Sequence, residues 1–182
     1  MFLGNGPFYT YSFGSMGQSI ATAQQSEFFQ WFQMEETERR PERPGILIRF
    51  RPSGDKFHDL CYLDTLSVSG GDVVRTELMV QRTFIDGTDR LFAQDLVKSF
   101  LVGALPDACQ QILQDFMRDI VALGGDGITP GFQVFRGRQK NWSTQTGWSR
   151  LSFANLPLPE GLAFVLQIGP NPTAPNARLV EG

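Results

Sequence analysis

The first regular pattern of hydrophobic and polar residues predicts a helix that begins at Ser19 and runs to about Arg39. Ser19 can accept a backbone hydrogen bond at a helix start. The apolar residues that follow recur three or four positions apart, as on one face of a helix: Ile20, Ala23, Phe28, Trp31 and Phe32, with Glu35 at the same spacing. Opposite charges four residues apart would support the solvent side, in the pairs Glu35–Arg39 and Glu36–Arg40. Pro41 and Pro44 then end the helix, because proline cannot continue it.

An antiparallel meander of three strands is predicted next. The residues GILIRFR alternate Ile46, Ile48 and Phe50 with Leu47, Arg49 and Arg51. A long strand after the turn at PSGDK carries on one face Leu60, Tyr62, Leu66 and Val68. Gly70 and Gly71 are typical of a two-residue hairpin. The return strand places on one face Val74, Leu78, Val80 and Phe84, and on the other Arg75, Glu77, Gln81 and Thr83. The meander is therefore expected to have one apolar side.

Two helices are predicted after the meander. A turn at Asp86–Thr88 leads into the first, whose apolar stripe is Leu91, Phe92, Leu96, Phe100 and Leu101. Pro106 breaks this helix, and Asp107 and Gln110 have the spacing of a capping box for the second. The stripe of the second helix is Ile112, Leu113, Phe116, Met117, Ile120 and Val121. The glycines of GGDG would cap its end.

Short strands are predicted in the last third of the chain, at FQVF, SRLSF and LAFVLQI. Residues 1–17 have no helical period and are expected to form a loop or an extended edge. The end of the chain, GPNPTAPNARLVEG, predicts an extended proline-rich tail over residues 169–182. The fold class is thus α+β: an antiparallel meander sheet with helices packed on one face and additional C-terminal strands, in a single domain over residues 1–168.

Composition and charge narrow the class of protein. A chain of 182 residues that is 41% hydrophobic and 19% charged has globular values, and its 16 phenylalanines predict a core or interface built on Phe. Residues 1–130 hold 11 Lys and Arg against 17 Asp and Glu, whereas residues 131–182 hold 5 against 2. Two differently charged surfaces are expected, without the overall basicity of a duplex DNA binder.

A cytoplasmic location with free thiols is expected. Cys61 and Cys109 could pair, but a core of this size needs no disulfide. The N-terminal residues lack the basic start and continuous apolar region of a secretory signal peptide. Apolar runs stay well below the roughly 20 residues of a membrane span.

Patterns of catalytic or ligand-binding residues are weak, so the sequence predicts a non-enzymatic protein without cofactor or metal. The single histidine, His58, is three residues from Cys61, which on a strand puts the two side chains on opposite faces. Cys and His are too few for a tetrahedral zinc site. Neither GNGPFYT nor GGDGITPG has the context of a phosphate loop. An enzyme with an unrecognised carboxylate site remains an alternative, with the candidates Asp55, Asp59, Asp64, Asp86 and Asp89.

The sharpest candidate for function is the stretch FRGRQKNWSTQTGWSR at residues 135–150. It contains Arg136, Arg138, Lys140, Trp142, Trp148 and Arg150. Arginine and tryptophan are enriched at hot spots of protein interfaces, whereas charge with stacking surfaces suits a single-stranded nucleic acid. A solvated loop with tryptophans folded onto the core is the plain alternative. We expect a partner-facing hairpin with Asn141 to Gly147 as its connection, anchored by flanking apolar residues: Phe132, Val134, Phe135, Leu151 and Phe153.

The order of a helix, three antiparallel strands and a helix resembles the type III secretion chaperone-like class of small α+β proteins, including the YbjN-type proteins. The likeness covers roughly residues 18–123. It rests on the end of the meander at TELMVQRTFIDG and on the amphipathic helix that starts at DRLFAQDLVKSFL. The resemblance implies a non-enzymatic protein, often dimeric, that binds other protein chains.

Overall fold

The computed structural model describes residues 18–43, 45–68, 71–81, 83–84, 92, 95–97, 99–100, 139–143, 147–155 and 162–170. Two helices come first, α1 (Ile20–Gln24) and α2 (Glu27–Trp31). The strands are β1 (Met34–Glu42), β2 (Gly45–Pro52), β3 (Cys61–Ser67), β4 (Val73–Gln81), β5 (Gln139–Ser143), β6 (Gly147–Asn155) and β7 (Leu162–Pro170). Further helical residues lie at 83–84, 92, 95–97 and 99–100. The predicted α+β class is confirmed.

The seven strands of the described ranges form one antiparallel sheet in the order β1-β2-β3-β4-β7-β6-β5. It consists of two meanders, because β1 to β4 pair in chain order and β5 to β7 do the same. We call these the N-terminal and the C-terminal meander. The pairing of β4 with β7 joins them.

The first predicted helix is correct at its start and wrong at its end. The Ser19 side chain accepts a hydrogen bond from the backbone N–H of Thr22, so the predicted cap is confirmed. The chain leaves the helical conformation after Trp31, and Gln33 has a φ of 47°. The rest of the predicted helix is strand β1, because pairing with β2 outweighs the local helical preference. Trp31, expected on the apolar face, is 67% exposed.

The hairpin between β3 and β4 is confirmed, but its loop is longer than predicted. Val68 N–H donates to the carbonyl oxygen of Asp72 and Gly71 N–H donates to that of Val68, both at 3.0 Å. Three residues therefore lie between the paired Val68 and Asp72. Gly71 has a φ of 86°, which glycine adopts without steric conflict.

The helices pack on one face of the sheet, which we call the helix face. Its core joins Phe28, Phe29 and Phe32 of the α1–α2 region to residues of β2, β3, β4 and β7, and to helical residues 96, 97 and 100. Phenylalanine rings meet edge to face, with centroids 4.8 Å apart for Phe29 and Phe50 and 5.6 Å apart for Phe28 and Phe100. The predicted core of phenylalanines is confirmed within the described residues.

The opposite face of the sheet, which we call the second face, is also buried, so the expectation of a single apolar side is wrong. All residues of β3 and β4 are buried. Cys61 and Leu63 lie in the helix-face core, whereas Tyr62 and Leu66, expected to share the apolar side with Leu60, belong to separate clusters. A strand that is buried on both sides does not reveal by alternation which face meets the helices.

Further corrections concern the ends of the predicted strands. Ile46 is 41% exposed, and Leu47 is buried with Leu66 and Val74. Val74 therefore belongs to a different buried cluster from Leu78, with which it was predicted to share a face. A register shift in the β3–β4 pairing separates the two positions. The predicted return strand ends at Gln81, so the helical residues 83 and 84 lie beyond it.

The later elements are confirmed where the structure describes them. SRLSF lies in β6, LAFVLQI lies in β7, and β7 extends through Pro170. Leu96 and Phe100 of the first predicted helix after the meander are buried, with Phe92 packed against the same core. The expectations for residues 1–17, 86–88, 91, 101, 106–127, 132–135 and 171–182 lie outside the described residues.

Candidate functional site

One row of polar residues crosses the whole sheet at matching register positions. Cα pairing links neighbouring strands in the order Glu38, Arg49, Asp64, Glu77, Gln167, Arg150 and Asn141. We call these residues the polar row. Asp64, Glu77 and Gln167 in its middle are completely buried. Burying such groups is unfavourable without partners, so their contacts decide what the row can do.

Arg49 and Asp64 form the strongest interaction of the polar row. Two hydrogen bonds of 2.7 Å join the Arg49 guanidinium to both carboxylate oxygens of Asp64. The same guanidinium lies over the Tyr62 ring, 3.9 Å from its centroid. Burial acts to lower the pKa of Arg49, but the hydrogen bonds and charge of Asp64 outweigh it and raise that pKa. The buried Asp64 carboxylate, one of the candidates for a carboxylate site, is thus bound by Arg49.

Charged residues of β1 extend this network on the second face. Arg40 donates to Glu38 at 2.8 Å and to Glu42 at 3.3 Å. Glu42 also lies 3.5 Å from Arg75, and Glu38 lies 3.7 Å from Arg49. In a strand, residues two apart share a face, which explains these pairs in place of the four-residue spacing expected for a helix.

Glu77 is the most perturbed acid in the described part of the chain. Burial raises its pKa to about 7, and the nearby charge of Asp64 adds to this effect. The hydrogen bond that Gln167 Nε2 donates to Glu77 Oε2 acts in the opposite direction, as does the charge of Arg75. Glu77 therefore changes its charge within the range of neutral pH, which an exposed glutamate does not.

Four of the six predicted partner-binding residues lie on two strands of the described sheet. Lys140 and Trp142 lie on β5, and Trp148 and Arg150 lie on β6. Register pairs Trp142 with Ser149 and Trp148 with Ser143, so the two tryptophans occupy opposite alternation positions of the hairpin. Arg136 and Arg138 lie outside the described residues. A hairpin is present in this stretch, as predicted, but Asn141–Ser143 and Gly147, predicted as its connection, lie on its strands β5 and β6.

The other sequence candidates form no shared centre in the described ranges. His58 lies in the turn before β3, not on a strand, with Nδ1 3.1 Å from the carbonyl oxygen of Pro52. Cys61 is buried, and burial raises the pKa of its thiol to about 12. Asp55 and Asp59 are exposed, while Cys109, Asp86 and Asp89 are not among the described residues. No group of three or more His, Cys, Asp or Glu that could hold a metal occurs in the residues described.

The polar row itself was missed by sequence reasoning, although a signal for it exists. Arg49, Asp64, Glu77 and Gln167 are polar residues near the middle of a strand, each next to at least one apolar residue. Their strands read GILIRFR, CYLDTLS, VVRTELMVQ and LAFVLQIGP. Alternation alone treats such residues as the solvent side of a strand. Their alignment became visible only with the strand order and register.

Comparisons of the chain with protein-family models, with curated proteins and with solved structures give no match. Among the helices that the structure describes, none is long and apolar enough to cross a membrane.

Proposed function

We propose that the protein is a non-enzymatic, intracellular protein-binding module, of the chaperone or adaptor kind, whose partner docks on the β5–β6 hairpin. The observation that carries the proposal is the place of this hairpin at one end of the sheet. Its strands bear Lys140, Trp142, Trp148 and Arg150, residue types that suit an interface. A cytoplasmic location and the chaperone-like class belong to the same proposal.

The two end strands of the described sheet differ in how open they are to a further strand. β1 is protected, since it carries six charged residues and Pro41, and most of its positions are at least partly exposed. β5 has a single charged residue, Lys140, and it pairs with β6 and no other described strand. An extended segment of a partner could therefore add to β5 by backbone hydrogen bonds, with tryptophan contacts supplying specificity.

The test uses a partner first captured from native lysate with nuclease present, then purified. Replacing Trp142 and Trp148 together by alanine should weaken its binding by about 2 kcal/mol, roughly thirtyfold in Kd. Trp31→Ala is the matched control, because Trp31 is exposed on α2, far from the hairpin in the chain. Charge removal at Arg136, Arg138 and Lys140 should mainly slow association and make it less sensitive to salt.

Three outcomes would contradict the proposal. Equal loss of affinity in the Trp31→Ala control would place the interface elsewhere. Capture that disappears on nuclease treatment, with a steep dependence on salt, would favour a single-stranded nucleic acid as the ligand. Unfolding of the double tryptophan variant, seen by circular dichroism, would mean that these side chains are part of the core.

A homodimer, which the resemblance implies, would use the same edge of the sheet. Two copies of β5 can pair antiparallel about a two-fold axis. Partner addition should then compete with dimer formation, and sedimentation velocity would detect the change in mass. A dimer that persists unchanged in the partner complex would place the dimer interface away from β5.

A further inference from the structure

The seam between β4 and β7 is the one strand pairing of the described sheet that residues distant in sequence make. Six residue pairs form it, from Thr76↔Ile168 to Gln81↔Ala163. The other strand pairs are neighbours in chain order. Opening this seam would separate the C-terminal meander, with its hairpin, from the N-terminal meander, without breaking any other strand pairing.

Glu77 and Gln167 form the one pair of the seam in which both residues are polar. Their neighbours on the helix face are Leu78 paired with Leu166, and on the second face Met79 paired with Val165. Both side chains are fully buried, and Gln167 Nε2 donates to Glu77 Oε2. Gln167 Oε1 is buried and has no hydrogen-bond partner among the described residues. Gln167 Oε1 on β7 can therefore accept a hydrogen bond from a protonated Glu77 carboxyl group on β4.

Charged and titratable groups surround Glu77 on several strands. Asp64 is its register partner on β3, and Arg75 lies two residues away on β4. Tyr62 on β3 carries the guanidinium of Arg49 over its ring, with that of Arg51 at 5.3 Å from its centroid. Arg150 is the register partner of Gln167 on β6. The charge of Arg75 favours the ionised form of Glu77, and the charge of Asp64 opposes it.

We propose that Glu77 and Gln167 form a proton-sensitive lock, which holds the two meanders together while Glu77 is protonated and loosens when Glu77 ionises. A protonated Glu77 can donate its O–H to Gln167 Oε1 while accepting from Nε2, so an acid and an amide are joined by two hydrogen bonds. Ionisation removes that donor, places a charge in the buried interior of the sheet, and adds repulsion from Asp64. The proton passes to solvent, and no other group changes. This lock does not depend on the partner binding proposed for the β5–β6 hairpin.

The direction of the pH dependence follows from linkage. Glu77 holds its proton up to about pH 7 in the closed seam, because burial raises its pKa. An opened seam exposes Glu77, whose pKa returns toward the ordinary value of 4.5. Between these values the closed form holds a proton that the open form lacks, so a rise in pH favours opening by about tenfold per pH unit. Above about pH 7 the effect levels off.

Amide hydrogen exchange tests the lock on the full chain. Protection factors of the β7 amides that are directed towards β4, corrected for the intrinsic exchange rate at each pH, should fall about tenfold per pH unit from pH 5 to pH 7 and then remain constant. They should stay below those of β3 above pH 7, because the seam opens without the whole sheet. Glu77→Gln should abolish the pH step. Glu36→Gln, which alters an exposed carboxylate on β1, should leave it unchanged.

A second measurement needs no variant and keeps the test decisive if Glu77→Gln does not fold. Carbon-13 NMR of the wild-type carboxyl groups should show Glu77 titrating near pH 7. A titration near pH 4.5, pH-independent protection of β7, or the same pH step in the Glu77→Gln variant would each overturn the lock. Equal protection of β3 and β7 at every pH would also overturn it, since opening would then be unfolding of the whole sheet.

Discussion

At the scale of single residues, burial decides which ion pairs matter. Arg49 and Asp64 share two hydrogen bonds of 2.7 Å, and the Asp64 side chain has no exposed surface. Arg39 and Glu36 have the same chemistry at 2.7 and 2.8 Å, but their side chains are 53% and 36% exposed. Water and salt screen the second pair, so equal geometry does not mean equal contribution to stability.

Replacing Arg49 by methionine should destabilise the protein by roughly 3–5 kcal/mol, because it leaves the Asp64 carboxylate buried without its partner. Arg39→Met is the matched control, and we expect it to leave the stability nearly unchanged, because water and salt screen the exposed pair. Urea unfolding followed by circular dichroism measures both changes. Similar losses in the two variants would show that burial does not distinguish the pairs. Adding Asp64→Leu to Arg49→Met should restore much of the lost stability.

At the scale of elements, strand pairing overrides local preference in β1. The charges of MEETERRPE fit the solvent side of a helix by spacing, yet they also fit an edge strand, where residues two apart pair. β2 supplies the hydrogen bonds that select the strand, with a register shift between Glu36 and Glu38. The partner strand, not the segment itself, therefore decides the conformation.

Close approach of β2 to β3 makes a glycine necessary at the start of β2. A Cβ added at Gly45 would lie 2.0 Å from the carbonyl oxygen of Ser67 and 2.8 Å from Val68 Cα. Gly45→Ala should therefore force these backbones apart and destabilise the protein by about 1–3 kcal/mol or more. At Gly54 an added Cβ meets nothing within 4 Å, so Gly54→Ala should be neutral or slightly stabilising. Thermal denaturation of both variants tests the contrast, and equal shifts in Tm would contradict it.

At the scale of the whole molecule, one acid buried in the sheet makes stability depend on pH. Glu77 has a raised pKa of about 7 in the folded protein and an ordinary value of 4.5 when unfolded. Because the pKa of Glu77 is raised, the folded state binds its proton more tightly than the unfolded state does. The stabilisation that this difference gives is fully present below about pH 4.5. It is lost as the pH rises through about 7.

Glu77→Gln should remove that contribution to the pH dependence. From pH 5 to pH 8 the free energy of unfolding of the wild type should fall by roughly 2–3 kcal/mol relative to that of the variant, at about 1.4 kcal/mol per pH unit up to pH 7. Urea unfolding at each pH gives both curves. Parallel curves for the two proteins would mean that Glu77 does not change its proton affinity on folding.

Local features of the sequence determined the parts of this protein that short-range physics controls. Ser19 caps α1 because its side-chain oxygen meets a backbone N–H three residues away. The β3–β4 and β5–β6 hairpins were predictable because their strands are neighbours in sequence, and the phenylalanine content predicted the helix-face core. The partner-binding role of the hairpin stays a prediction.

Tertiary structure alone decided the rest, because the deciding contacts join residues far apart in the chain. Met34–Glu42 became a strand only in the presence of β2. Glu77 and Gln167 look like ordinary solvent-side positions in their strands, and they meet because β4 pairs with β7. Alternation specifies that a strand has two faces, but the neighbouring strands and the packing on each face determine what those faces contact.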